Sequence, residues 1–126
     1  MSNALQGRRV LLVEDEFLIA SDLVRLLRQQ GAEVLGPASS VRAALDLLQT
    51  AVQGPDGAVL DVNLRGEMAF PVADALHARG VPFVFATGYT ADMIPARYAS
   101  VPCCEKPFEG PEIVRALAAQ YGAAAA

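Results

Sequence analysis

Short apolar runs alternate along this chain with stretches of helical spacing. Residues 8–13 close on Val10-Leu11-Leu12-Val13, a continuous run suited to a parallel strand buried on both faces. Ile19, Leu23, Leu26 and Leu27 then fall at i, i+4, i+7 and i+8, the stripe of a core-facing helix. Glu16 is expected in its first turn and Gly31 just past its end. Val34-Leu35 predicts a short second strand stopped by Gly36-Pro37. Ser39 or Ser40 can cap a second helix carrying Val41, Ala44, Leu45 and Leu48. After the turn composition of residues 53–57, Ala58-Val59-Leu60 predicts a third strand closed by Asp61. Residues 63–69 read as a loop, 71–79 as a third helix, and 82–86 as a fourth strand around Phe83-Val84-Phe85. Pro95 interrupts residues 90–100, which predict at most a broken fourth helix. Residues 101–105 predict a fifth strand. Pro111 and Glu112 open a last helix with the stripe Ile113, Leu117 and Tyr121.

Five strand–helix alternations predict an α/β fold: a five-stranded parallel sheet with helices on both faces, in the flavodoxin-like (βα)5 order 2-1-3-4-5. The domain is expected over residues 8–122, after a disordered leader at 1–7 and before a frayed tail at 123–126. In such a sheet, ligands bind beyond the strand ends at the switch point, here between strands one and three. One of these strands ends in Glu14-Asp15-Glu16 and the other in Asp61. Taken alone, Asp61 is better explained by the capping of a turn. The second acidic strand end makes it a chemical centre.

Composition narrows the classes. With 126 residues the chain is one ordinary domain, and its net charge of −4 argues against nucleic-acid binding through bulk electrostatics. No apolar run reaches the length of a membrane span, and the first residues lack the apolar core of a secretory leader. Cys103 and Cys104 are adjacent and would point to opposite faces of a strand, so they are not expected to pair. A reducing, cytoplasmic setting is expected, with no nucleic-acid and no membrane partner.

Three carboxylates brought together repel unless one protonates or a cation enters. Without a Cys/His cluster the oxygen set suits Mg2+ rather than zinc. A carboxylate beside Mg2+ can attack a phosphoryl group and form an aspartyl phosphate. The developing charge then needs a cation and a hydroxyl donor. Lys106 and Thr87 supply these if strands four and five end at the same edge.

Val13-Glu14-Asp15, Leu60-Asp61, Thr87 and Lys106-Pro107 stand in the order, and on the elements, of the receiver domains of two-component response regulators. The chain resembles that family from Val10 to about Tyr121. The resemblance implies that Asp61 is the phosphoacceptor, Asp15 a direct Mg2+ ligand and Glu14 a water-mediated one. It implies that the Asn63 backbone carbonyl completes the metal site, and that Thr87 and Lys106 grip the phosphoryl oxygens. Phe85-Ala86-Thr87-Gly88-Tyr89 further resembles the signature of the "FAT GUY" receivers, often single-domain regulators of alphaproteobacteria. The family's usual aromatic switch, three residues before the lysine, is replaced by Cys103. Two readings of Tyr89 follow: it takes over that switch, or it only packs on the neighbouring loop.

The resemblance implies a single-domain response regulator rather than an enzyme, with at most slow self-dephosphorylation. A histidine kinase or histidine phosphotransfer protein would donate the phosphoryl group. With no DNA-binding segment after the last helix, output is expected through a downstream protein partner. A phosphate sink or an unphosphorylated receiver-like binding module is the alternative. A Mg2+-dependent phosphatase is remote, because Asn63 stands where its second acid belongs. His77 reads as an exposed helix residue, and Arg65 and Glu67, beside the acidic pocket, either tune access to it or are only solvated loop charges.

Overall fold

The computed structural model describes residues 4–88, 94–106 and 109–125, with side chains through 121. Its elements in chain order are β1 (Arg9–Val13), α1 (Phe17–Gln29), β2 (Glu33–Ala38), α2 (Val41–Thr50) and β3 (Gly57–Leu60). A short antiparallel hairpin follows, β4 (Asn63–Leu64) and β5 (Glu67–Met68). Then come α3 (Phe70–Ala78), β6 (Phe83–Thr87), a 3-10 turn (Ala96–Tyr98), β7 (Cys103–Glu105) and α4 (Gly110–Ala125). The main sheet is parallel with order β2-β1-β3-β6-β7, the expected topology.

Alternation along the strands builds two cores. Leu11, Val13, Leu60 and Phe85 face α2 and α3, while Val10, Leu12, Val59 and Val84 face α1 and α4. Each central strand is buried on both faces, which is why its sequence reads as a continuous apolar run. The α1 stripe buries Ala20, Leu23 and Leu27. Ser40 caps α2, its hydroxyl accepting from Ala43 N at 3.1 Å.

Several expectations are corrected. Residues 1–3 of the expected leader lie outside the described residues; residues 4–7 form a turn in which Leu5 is fully buried and its N–H donates to Gln30 O at 3.1 Å. The α4 backbone is described through Ala125; residue 126 of the expected tail lies outside the described residues. Glu16 is the N-cap of α1 rather than part of its first turn. β2 runs through Gly36-Pro37, joined by a cis peptide, because as an edge strand it tolerates a residue with no N–H. The supposed loop at 63–69 contains the β4–β5 hairpin. In the region of the broken fourth helix, residues 94–100 carry only the 3-10 turn, with Pro95 at its N-cap.

Candidate functional site

The sheet register carries the acids to one edge. Glu14 N donates to Ala38 O at 3.0 Å and Asp61 N donates to Val13 O at 2.8 Å, extending the ladders just past the strand ends. On the other side Lys106 N donates to Thr87 O at 2.7 Å, so β6 and β7 end together. Four expected site residues therefore meet. Carboxylate oxygens of Glu14, Asp15 and Asp61 lie within 4.8 Å of one another. Lys106 Nζ lies 3.0 Å from Asp61 Oδ2 and 3.2 Å from Glu14 Oε1. Asp61, Asn63, Thr87, Gly88, Lys106 and Glu16 line a recess of about 270 Å3. Asn63 N donates to Asp61 Oδ1 at 3.2 Å, which fixes the carboxylate's rotation.

Glu14 and Asp61 are buried, and Thr87 is fully so. Burial pushes the Glu14 carboxyl up to about 7, against a lowering hydrogen bond from Glu16 N and with a further raising contribution from the Asp61 charge. Burial works against the Lys106 ammonium as well. Its hydrogen bond to Asp61 and the charges of Asp61 and Glu14 outweigh that and hold it above its ordinary value. Glu14 Oε1 is buried and takes no hydrogen bond, although the lysine is near. A buried all-oxygen cluster with an unsatisfied carboxylate oxygen fits a hard divalent cation such as Mg2+.

Three further charged residues near the site have partners that the sequence did not specify. Glu16 Oε1 lies 3.5 Å from Lys106 Nζ, so the lysine is shared among three acids. Arg65 Nε lies 3.5 Å from Asp15 Oδ2. Glu67, itself exposed, accepts from Val41 N at 3.3 Å through Oε1 and so helps cap the start of α2. An Arg-Gly pair between short apolar steps was the one available signal for the hairpin that presents Arg65 and Glu67.

Tyr89, the expected switch residue, lies outside the described residues, as does Pro107. Cys103 packs against a core that includes an aromatic ring from the 3-10 turn. Tyr98 is buried among Phe70, Phe83 and Phe85, with centroids 6.5, 5.6 and 6.0 Å away. Its hydroxyl donates to Asp74 on α3, which Arg97 also holds through both oxygens, at 3.1 and 3.3 Å. Both cysteines are free; burial, with Glu112 nearby, pushes the Cys104 thiol up to about 11.

No protein-family model matches the chain. Among solved structures, SdrG from Sphingomonas melonis Fr1 is 43% identical with a TM-score of 0.78, over 96% of this chain and 99% of that one. The response regulator PhyR from Brucella abortus is 25% identical with a TM-score of 0.76, over 98% of this chain and 52% of that one. The transcriptional regulatory protein PdtaR of Mycobacterium tuberculosis is 31% identical over 90 residues, 71% of this chain and 43% of PdtaR. The sensory transduction protein LytT of Bacillus subtilis is 34% identical over 113 residues, 86% of this chain and 46% of LytT. The chain thus spans less than half the length of these curated relatives. Fold, acidic edge and relatives agree: the chain belongs to the response regulator receiver domains of two-component signalling. No helix among the described residues is long and apolar enough to cross a membrane.

Proposed function

We propose that this receiver domain is a phosphoacceptor switch with Asp61 as its acceptor. The observation that carries the reading is Lys106 Nζ at 3.0 Å from Asp61 Oδ2, with Glu14 and Asp15 completing a carboxylate cluster beside it. Asp61 attacks the phosphorus of a phosphohistidine on a histidine kinase or a histidine phosphotransfer protein. The new bond is carboxylate O–P, the bond broken is P–N, and the imidazole leaves with the electron pair and takes up a proton. Mg2+, when bound at this edge, would supply positive charge to offset that of the phosphoryl group. Asp15 would hold the ion directly and Glu14 through water, together with Asp61 and the Asn63 carbonyl. Lys106 moves from the carboxylates to a phosphoryl oxygen, and Thr87 donates to another from the end of β6.

Output runs through contact with a downstream protein in the cytoplasm. The Phe85-Ala86-Thr87-Gly88-Tyr89 sequence, which resembles the signature of the "FAT GUY" receivers, supports a reading within that subfamily. A BeF3-activated conformation is known for SdrG from Pseudomonas melonis Fr1, 42% identical to this chain, and supports activation by a phosphoryl group here.

Intact mass after incubation with Mg2+ and acetyl phosphate tests the reading. One added phosphoryl group on the wild type and none on Asp61→Asn is the expected result. Label that survives on Asp61→Asn overturns the assignment. If the wild type takes no label, beryllofluoride binding separates a kinase-selective receiver from an unphosphorylated binding module.

A further inference from the structure

Arg65 stands at the apex of the β4–β5 hairpin with φ 56°, followed by Gly66 at φ 92°. Among the described residues it is the one non-glycine with positive φ. A two-residue hairpin loop asks for left-handed backbone at both positions, which Asn, Asp and Gly adopt readily. For a long side chain the same conformation costs on the order of 1 kcal/mol. A ladder of two residues on each side does not hold itself together in water. This one is braced from outside. Gly66 N donates to Asn63 Oδ1 at 2.6 Å, Leu64 is buried, and Glu67 is tied to the start of α2.

The braced turn aims Arg65 at the acidic edge, with Nε 3.5 Å from Asp15 Oδ2. The two partners are unequal. The Asp15 side chain is 10% exposed, whereas that of Arg65 is 79% exposed. Lys106 serves the other acids, Glu14, Glu16 and Asp61, so Arg65 is the cation placed against Asp15.

We infer that Arg65 is a tethered cation that neutralises Asp15 in the metal-free domain and competes with the divalent cation for that carboxylate. It thereby sets how tightly the metal binds. The inference rests on the Mg2+ reading above. A dication drawn to Asp15 meets a guanidinium already there, and the two repel. Metal entry therefore expels Arg65 into solvent, where most of its side chain already lies. Whatever the pair contributes to the metal-free state is subtracted from metal affinity. The strained turn keeps the guanidinium close, while its exposure keeps it displaceable.

The test is a calorimetric Mg2+ titration of the whole chain at low ionic strength. It compares wild type with Arg65→Asn, Asp15→Asn and Arg42→Asn. Asn suits left-handed backbone, so Arg65→Asn removes the charge and keeps the turn. An exposed ion pair of ordinary strength predicts that Arg65→Asn lowers the Mg2+ Kd by about twofold to fivefold. High salt should shrink the difference. Arg42 pairs with Asp46 on α2, and Arg42→Asn should leave the Kd unchanged. An unchanged or weaker Kd for Arg65→Asn, with wild-type binding intact and Asp15→Asn impaired, overturns the Arg65 inference alone. If Asp15→Asn binds as wild type, or the wild type does not bind Mg2+, the metal reading falls and this inference falls with it. A urea midpoint for Arg65→Asn at or above wild type verifies that the turn has survived.

Discussion

Lys106 Nζ reaches Asp61 Oδ2 at 3.0 Å although β6 lies between the strands that carry the two residues. The lysine leaves β7, crosses above the end of β6, and meets an acid that closes β3. The contact joins residues 45 positions apart and brings counter-charge to a carboxylate that is 4% exposed. Truncation to alanine in Lys106→Ala leaves Glu14 and Asp61 buried without that charge. The expected loss is about 1–3 kcal/mol in metal-free buffer, since buried polar groups that lose their partner carry their full desolvation cost. Urea denaturation checks this. Saturating Mg2+ should narrow the gap between variant and wild type, because the ion supplies the missing positive charge.

Tyr98 combines a ring in the aromatic core with a hydroxyl on Asp74. The two contributions separate by substitution. Tyr98→Phe keeps the ring and should cost about 1 kcal/mol, an ordinary hydrogen bond. Tyr98→Ala opens a cavity under Phe70, Phe83 and Phe85 and should cost about 3–5 kcal/mol. Equal losses in chemical denaturation would show that the hydroxyl, not the ring, carries the contact.

Asp74 also makes stability depend on pH. The Tyr98 hydroxyl, and then the Arg97 guanidinium, hold its carboxyl below the usual range. A depressed folded value means that the unfolded chain binds the proton more readily. The stabilisation is therefore present above about pH 4, the unfolded value, and is lost as pH falls through the folded one. The stability difference between wild type and Asp74→Asn should shrink as denaturation is repeated from pH 5.5 down to about pH 2.5.

Gly57, at the start of β3, has no room for a side chain: a Cβ there would collide with the Tyr121 hydroxyl and crowd Leu117. Gly57→Ala should destabilise by about 1–3 kcal/mol through overpacking. The Tyr121 hydroxyl donates to Asp56 O at 2.6 Å, so the ring is not free to swing aside. Tyr121→Phe removes the colliding oxygen. In a double-mutant cycle, Gly57→Ala should cost less in the Tyr121→Phe background than in the wild type.

The sequence by itself determined the order of the sheet and the edge at which chemistry is placed. Val10–Val13 and Ala58–Leu60 are uninterrupted apolar runs, and in a parallel sheet such runs have only one place, the middle. An acid directly after each run must then emerge at the same edge, so the juxtaposition of Glu14, Asp15 and Asp61 follows from local pattern and topology. Lys106 and Thr87 follow from the same rule applied to β7 and β6. Tertiary structure alone decided which charges pair at that edge. Arg65 meets Asp15 only because a hairpin too short to have a period turns back toward β1, braced by Glu67 on a helix 26 residues upstream. Tyr98 enters the core from a 3-10 turn with no apolar stripe to announce it, drawn in by the space among three phenylalanines and by a carboxylate on α3. Residues 4–7 likewise carry no strand or helix pattern, yet Leu5 seals the end of one core, because burial answers to shape and proximity as well as to periodicity.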